Sequence, residues 1–538
     1  MPEKKTKTSS LAIKISGPAG AGIMQLGELL SAALNSAGYF TLVYPEYPSR
    51  IRGGDNNVQI VISNSAQLTP RQRVDALFAL DKNLADAHRR EVKPNGSTFN
   101  AVSLGLIDVP AVKSNPLVKN TALAGLIWRF LGLEKGILSR QIKKTFPKYT
   151  AVNLEAAEAG WKLASKTKGL DLAPTSSKIF GATGNEVFAS SALKADCQYA
   201  SIYPMTPITS LARYLAKSKI KVIAPEDEIF AALSTLGASY AGKRALTATS
   251  GGGFCLMTEA IGLAAMAEIP LVIILGQRSG PSSGMPTYSS QADLNFAIWG
   301  GHGDFEKIVL APGDLEEIAR LTPEAFNLAE RYQIPVIILT DKYLSESRFS
   351  TNQAIDKIKI KIDRGKRYER NSKIYNRYKL TKDGISPRAY PGETTFLTNS
   401  YEHDEEGFSA DDVQTRQAMM AKRARKLASL PGGYEIYGHK SAKEIVVGWG
   451  STKSQLVELS HGFPQLKFIH IWRPWPFPEK MKSELKRARK VIVAENNFSG
   501  QMAKIIENET SVKVAKILKD DGRPFFFEEL TKAIEAKL

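Results

Sequence analysis

The stretch ALTATSGGGFCLMTEAIGLAAMAEIPLVIILGQRSGPSSGMPT (Ala245–Thr287) reads as strand, glycine turn, helix, strand and long polar loop. Ala245–Thr249 and Leu271–Leu275 are short apolar runs of the length a buried strand needs. Two strands joined through a helix form a βαβ crossover, and such units build parallel sheets covered by helices. The alternation extends both ways. Strands are expected at Tyr199–Tyr203, Val222–Ala224 and Val336–Thr340, so residues 180–345 are expected to form a doubly wound domain.

Three further regions follow. In residues 1–175 a strand at Leu11–Ser16 leads into GPAGAG (Gly17–Gly22), and Ile23, Leu26, Leu29, Leu30, Ala33 and Leu34 have helical spacing. A second strand at Phe40–Tyr44 makes this a β–turn–α–β unit of the kind that builds parallel sheets, and Val58–Ile62 and Ala76–Ala79 are further strand candidates. Residues 346–434 are polar, basic and rich in Pro, Gly and Asn, and read as an extended excursion. Residues 435–538 carry strand candidates at Glu444–Gly448, Lys467–Ile471, Lys490–Glu495 and Val512–Ala515, a smaller α/β domain. The expected fold class is α/β, multidomain, with doubly wound and mostly parallel sheets.

Composition narrows the function. With 538 residues and 43% hydrophobic side chains, the chain can bury several cores. Its opening, MPEKKTKTSSLAIKI, has no secretory apolar region, and no apolar run is long enough to cross a bilayer. A soluble, cytoplasmic protein with no membrane partner is expected. Only Cys197 and Cys255 occur, far apart, which excludes a four-cysteine cluster built within this chain, and no metal site is expected in it. The net charge of +18 is concentrated in Lys357–Lys382 and Lys422–Lys426. No zinc-finger spacing, aromatic RNA-binding strand or basic heptad helix accompanies it, so nucleic acid is not an expected partner. A solvated connector, or a surface that attracts acidic partners, accounts for the charge.

Chemistry is expected at the strand ends, where open α/β sheets bind ligands. Tyr203-Pro204-Met205-Thr206-Pro207 follows one strand, Glu226-Asp227-Glu228 the next, and Ser250-Gly251-Gly252-Gly253 a third. The fourth ends in Gly276–Thr287, which carries Arg278. Each alone is explained as a loop or a cap; their coincidence points to a site. In the first domain, GPAGAG suits a phosphate at a helix N-terminus or a tight structural turn. Arg50 and Arg52, in YPSRIRGG, suit a phosphate or carboxylate clamp, or two exposed loop arginines.

The ordered set YPMTP, EDE, TSGGG and GQRSGPSSGMPT resembles the α subunit of 2-oxoacid:ferredoxin oxidoreductases. The resemblance continues through DGISPRAYPG, NSYEHDEEG, VVGWGST and IHIWRPWPFP. GPAGAGI and YPSRIRGG resemble the family's γ subunit, fused here to the α part. Met205, Ser279, Ser283 and Met285 stand where the family usually has Ile, Gly, Thr and Leu, and Asp55 where the γ pattern often has His. The resemblance implies a γ-type domain (1–175), a thiamine-diphosphate pyrimidine-binding domain (180–345) and a transketolase C-terminal-like domain (435–538).

It also implies roles. Glu228 would assist proton transfer at the cofactor's pyrimidine, with Glu226 as nearby competitor. Tyr203, Pro204, Ser250 and Gly251 would contact the cofactor, and Thr206, Arg278 and Thr287 the substrate. Gly20, Gly22, Arg50 and Arg52 would contact coenzyme A or a phosphate. The implied reaction is coenzyme-A-dependent oxidative decarboxylation of a 2-oxoacid such as pyruvate or 2-oxoglutarate, with reduction of ferredoxin. The chain has no Gly-Asp-Gly followed by a Mg²⁺-binding Asn. A β-type partner is therefore implied to hold the diphosphate, Mg²⁺ and iron–sulfur cluster, sharing the cofactor. An aryl-oxoacid enzyme, a non-catalytic assembly subunit and a nucleotide-binding module are the competing readings.

Overall fold

A computed structural model describes residues 10–49, 54–66, 68–164, 168–370, 375–427 and 430–538. In chain order the strands are β1 (Ser10–Pro18), β2 (Phe40–Glu46), β3 (Asp55–Ser63), β4 (Val74–Ala79), β5 (Val92–Asn100) and β6 (Phe180–Thr183). Then come β7 (Cys197–Ser201), β8 (Lys221–Ile223), β9 (Arg244–Thr249), β10 (Leu271–Gln277), β11 (Ile308–Leu310), β12 (Pro335–Asp341) and β13 (Arg348–Thr351). The last are β14 (Tyr434–Gly438), β15 (Glu444–Trp449), β16 (Lys467–Ile471), β17 (Lys490–Glu495) and β18 (Ala515–Leu518). The fold class is α/β, as expected.

The central sheet runs β11-β12-β10-β9-β7-β8 and every pairing in it is parallel. After β7 the chain crosses to β8 at the sheet edge, then returns to β9 on the other side of β7. Connections diverging from neighbouring strands leave a crevice at their carboxyl ends. β10 and β12 are buried along their whole length, which is why both read as continuous apolar runs.

The first sheet departs from expectation. Its order is β5-β4-β1-β3-β2-β13-β6, and β3 lies antiparallel to both β1 and β2. β2 ends at Glu46 and β3 begins at Asp55, too short a connection for a crossover, so the two form an antiparallel hairpin. β13 and β6 also pair antiparallel and complete this sheet from beyond residue 175. The third sheet, β14-β16-β15-β17-β18, is parallel except at β14. Its last strand lies at Ala515–Leu518, later than the Val512–Ala515 run suggested, because Val512 still packs with the end of the preceding helix.

Residues 346–434 are more than an excursion. They contribute β13 and a helix at Val413–Ala424, and they bury part of their charge. Lys422 and Lys426 are almost solvent-free and converge on Glu268, itself fully buried at the end of a central-domain helix. Lys426 Nζ lies 2.8 Å from Glu268 Oε2. Desolvation lowers both lysines, Lys426 to about 8, and the surrounding cations hold Glu268 well below the usual carboxylate range. Among the described residues, no helix is long and apolar enough to cross a membrane.

Breaking such a cluster leaves buried charge without a counter-ion. Glu268→Gln is expected to destabilise the chain by about 3–5 kcal/mol. A drop of that size in the denaturation free energy, followed by tyrosine and tryptophan fluorescence, checks it; an unchanged midpoint would show the cluster to be dispensable.

Candidate active site

Four neighbouring strands of the central sheet, β10, β9, β7 and β8, end on one edge, and each delivers part of the expected site. β8 leads to Asp227, whose carboxylate caps the helix Glu228–Tyr240 by accepting from Phe230 N at 2.8 Å. That cap fixes Glu228 as the first helical residue. Its side chain turns inward, only 4% exposed, and its Oε1 is buried without a hydrogen-bond partner in the chain. Glu226 remains exposed.

β9 ends in Ser250 and the helix Gly251–Leu256. A Cβ at Gly253 would lie 2.3 Å from Glu228 Oε1 and 2.2 Å from Thr249 Oγ1. The glycine run therefore admits the carboxylate against the backbone, a reason stronger than turn formation. Ser250 Oγ is also buried without a partner. Gly251 borders Asp293: a Cβ there would meet Asp293 Oδ2 at 2.9 Å.

β7 leads to the Tyr203–Pro207 segment. Asn185 donates to Pro207 O at 2.8 Å and to Ser210 Oγ at 2.7 Å, anchoring the loop from a neighbouring helix. Arg278, just past β10, donates from Nη1 to Thr206 O at 3.1 Å. The expected pair thus meets through the Thr206 carbonyl. In the loop after Arg278, Ser279 N donates to Tyr288 O at 3.1 Å and Met285 N to Ser279 O at 2.8 Å. The loop folds back on itself, returning Thr287 to the neighbourhood of Arg278 with its hydroxyl buried and unpartnered. Tyr203 and Pro204 are exposed at the rim.

Asp293 was not singled out from sequence. Its main-chain NH donates to Gln277 Oε1 at 3.0 Å, while Gln277 Nε2 donates to Thr340 O at 3.2 Å. Burial pushes its carboxyl up to about 6, and Arg278 opposes the shift. The signal was the Gln-Ala-Asp-Leu run after the polar loop, which offers no spacing that marks it as part of the site.

Gly20 and Gly22 lie apart from these strand ends, on a cleft of about 520 Å³ in the first domain. Asn120, Tyr149 and Asn153 also line it, and Asn120 Nδ2 donates to Ala21 O at 2.5 Å. Arg50 and Arg52 lie outside the described residues.

Gly253→Ala is expected to force the Glu228 carboxylate from its place, with an overpacking cost of about 1–3 kcal/mol. A crystal structure of the variant with Glu228 unmoved would refute the close-approach role.

The chain is similar to known proteins over nearly its whole length. The family model "Pyruvate flavodoxin/ferredoxin oxidoreductase, thiamine diP-bdg" matches residues 190–422, and "Pyruvate ferredoxin/flavodoxin oxidoreductase" matches residues 12–163. A 2-oxoacid:ferredoxin oxidoreductase subunit alpha from a Sulfolobus species is 32% identical, over 97% of this chain and 96% of its own. The 2-oxoglutarate synthase subunit KorA of Methanocaldococcus jannaschii is 34% identical, over 65% of this chain and 98% of its own. A solved 2-oxoglutarate:ferredoxin oxidoreductase from Magnetococcus marinus, with 2-oxoglutarate, coenzyme A and succinyl-CoA bound, superposes with a TM-score of 0.90. It is 29% identical, and the match covers 98% of this chain and 99% of that one.

Proposed function

Because the chain belongs to the 2-oxoacid:ferredoxin oxidoreductase family as an α-type subunit, we propose that its four strand ends form the pyrimidine side of a shared thiamine diphosphate site and the clamp for a 2-oxoacid. The observation that carries this reading is Glu228 Oε1, a buried carboxylate oxygen with no partner inside the chain. A buried, unpaired carboxylate is costly. It fits a ring nitrogen that shares a proton with it. The unpartnered hydroxyls of Ser250 and Thr287 at the same edge fit further polar contacts to cofactor and substrate.

When bound, thiamine diphosphate supplies the carbon nucleophile and the electron sink for decarboxylation. Glu228 would hold the proton at the pyrimidine nitrogen, with Tyr203, Pro204, Ser250 and Gly251 around the ring. Arg278 would take the substrate's carboxylate through its planar fork, one amino group being already oriented by the Thr206 carbonyl. Thr206 and Thr287 would direct hydroxyls to the same group. The cleft at Gly20 and Gly22 suits a phosphate-bearing part of coenzyme A, and Arg50 and Arg52 keep that role on residue type alone.

The diphosphate, Mg²⁺ and iron–sulfur cluster are assigned to a β-type partner, and ferredoxin to the acceptor role. The two cysteines cannot supply a cluster: Cys197 is buried and Cys255 is exposed elsewhere. Large apolar side chains, Tyr203, Ile229, Phe230, Leu256 and Met285, stand exposed on the connections leaving the four strand ends. Exposed apolar surface of this kind marks an interface, which supports a partner covering the site.

Glu228→Gln is expected to lower turnover of the assembled complex by about 10²–10⁴-fold without dispersing it, since an amide cannot trade the proton. Full activity in Glu228→Gln with loss in Glu226→Gln would transfer the role to Glu226. Arg278→Lys keeps the charge and loses the fork, so kcat/KM for 2-oxoacids should fall while thiamine diphosphate affinity stays near that of the parent. Titrating cofactor into both apo complexes checks this; a collapse of cofactor affinity with normal substrate kinetics would place Arg278 in the cofactor site.

A further inference from the structure

Asp293 has no role in the reading above, yet it stands within that site. Its carboxyl lies against the Gly251 backbone, close enough that a Cβ there would sit 2.9 Å from Oδ2. Its main chain is tied by Gln277 to the end of β10, one residue before Arg278. It also begins the helix Leu294–Trp299, with Ala297 N donating to Asp293 O at 2.8 Å. The carboxyl is therefore held in the site by its own backbone. Arg278, from the loop after β10, is the charged group that acts on the Asp293 carboxyl.

We propose that Asp293 is a positioning residue that holds a proton while a 2-oxoacid carboxylate occupies Arg278, and that competes with that carboxylate when ionised. This rests on the reading of Arg278 given above. Two carboxylates beside one guanidinium cannot both stay ionised without penalty, so one takes a proton. Arginine does not surrender its own. The 2-oxoacid is a strong acid in water, and it is Asp293 that burial already pushes up to about 6 before any second anion arrives. Below that pH the proton is in place beforehand. Above it, substrate binding takes one proton from solvent onto an Asp293 oxygen, and product release returns it.

The test uses the chain assembled with its partner subunit, with pyruvate and 2-oxoglutarate as substrates. In the parent, KM should rise with pH above about 6, by up to tenfold per unit, the slope of one linked proton. Asp293→Asn is isosteric and permanently neutral. Its KM should be flat across that range and no higher than the parent's value at low pH, with the effect falling on KM more than on kcat. A purely structural role would raise KM at every pH and keep the parent's slope, which overturns the proposal. Infrared pH-difference spectra of the substrate-free complex give a second readout. A carboxylic-acid band titrating near pH 6 should vanish in Asp293→Asn and move to higher pH when oxamate, a non-reacting carboxylate, is added. No such band, or one indifferent to oxamate, also overturns it. If Arg278→Lys leaves KM untouched, the reading of Arg278 has failed, and the Asp293 proposal falls with it for that separate reason.

Discussion

The absence of a side chain at residue 253 is the constraint on which the site depends. Glu228 can be buried at the mouth of β8 because the turn after β9 presents bare backbone to its carboxylate. Everything around it holds that approach. Asp227 fixes where the helix begins, and β7, lying between β8 and β9, fixes how far apart the two connections stand. The favourable end of the helix dipole lies beside the carboxylate, but this does not satisfy Oε1. Packing alone gives no reason to bury an oxygen without a donor. Strain or desolvation retained against the rule, and enforced by several elements together, marks a working group.

The central sheet is in turn held between its neighbours by charge as much as by apolar contact. Asp314 caps the long helix Leu315–Tyr332, and Lys453 of the third domain lies 2.6 Å from Asp314 and 2.8 Å from Glu317. His470 Nε2 reaches Glu317 at 2.9 Å. The Glu268 cluster ties the basic segment down, and Arg71 of the first domain pairs with Glu458, on the same third-domain helix as Lys453. Buried ion pairs of this kind give register more than net stability. They fix the angle at which the flanking domains meet the sheet, and so where the Gly522 turn of the third domain rests on Tyr288 and Met285 of the loop after β10.

How much of this the sequence disclosed follows from what each signal encodes. β10 and β12 were legible because strands buried on both faces are continuous apolar runs, and the residues punctuating their ends were legible as chemistry. Glu228, Arg278 and Thr206 were singled out that way, and the fold brings them to neighbouring strand ends. Strand direction in the first sheet was not legible, since Phe40–Tyr44 and Val58–Ile62 are equally apolar in either orientation and only the shortness of the connection between them decides it. The basic segment looked solvated because composition counts charges without their partners: the counter-ion of Lys422 and Lys426 is Glu268, far back in the chain. Asp293 escaped for the same reason: the charge that acts on it is Arg278, and its own sequence neighbourhood is ordinary.

The distribution of polarity at the strand ends has a further consequence. The polar groups there, Glu228, Ser250, Thr287 and the Thr206–Arg278 pair, are buried or half-buried, while the apolar groups, Tyr203, Phe230, Leu256 and Met285, face outward. A finished active site has the opposite arrangement, apolar contacts enclosed and charges directed at the ligand. The arrangement is coherent if a second surface closes over it. Covering the outer apolar ring would lower the dielectric around Arg278 and Asp293, and a guanidinium–carboxylate attraction that is weak near water grows severalfold when water leaves. On the proposed reading, selection of an anionic substrate would then be a property of the assembled enzyme, this chain supplying the fixed charges and the partner the medium in which they act.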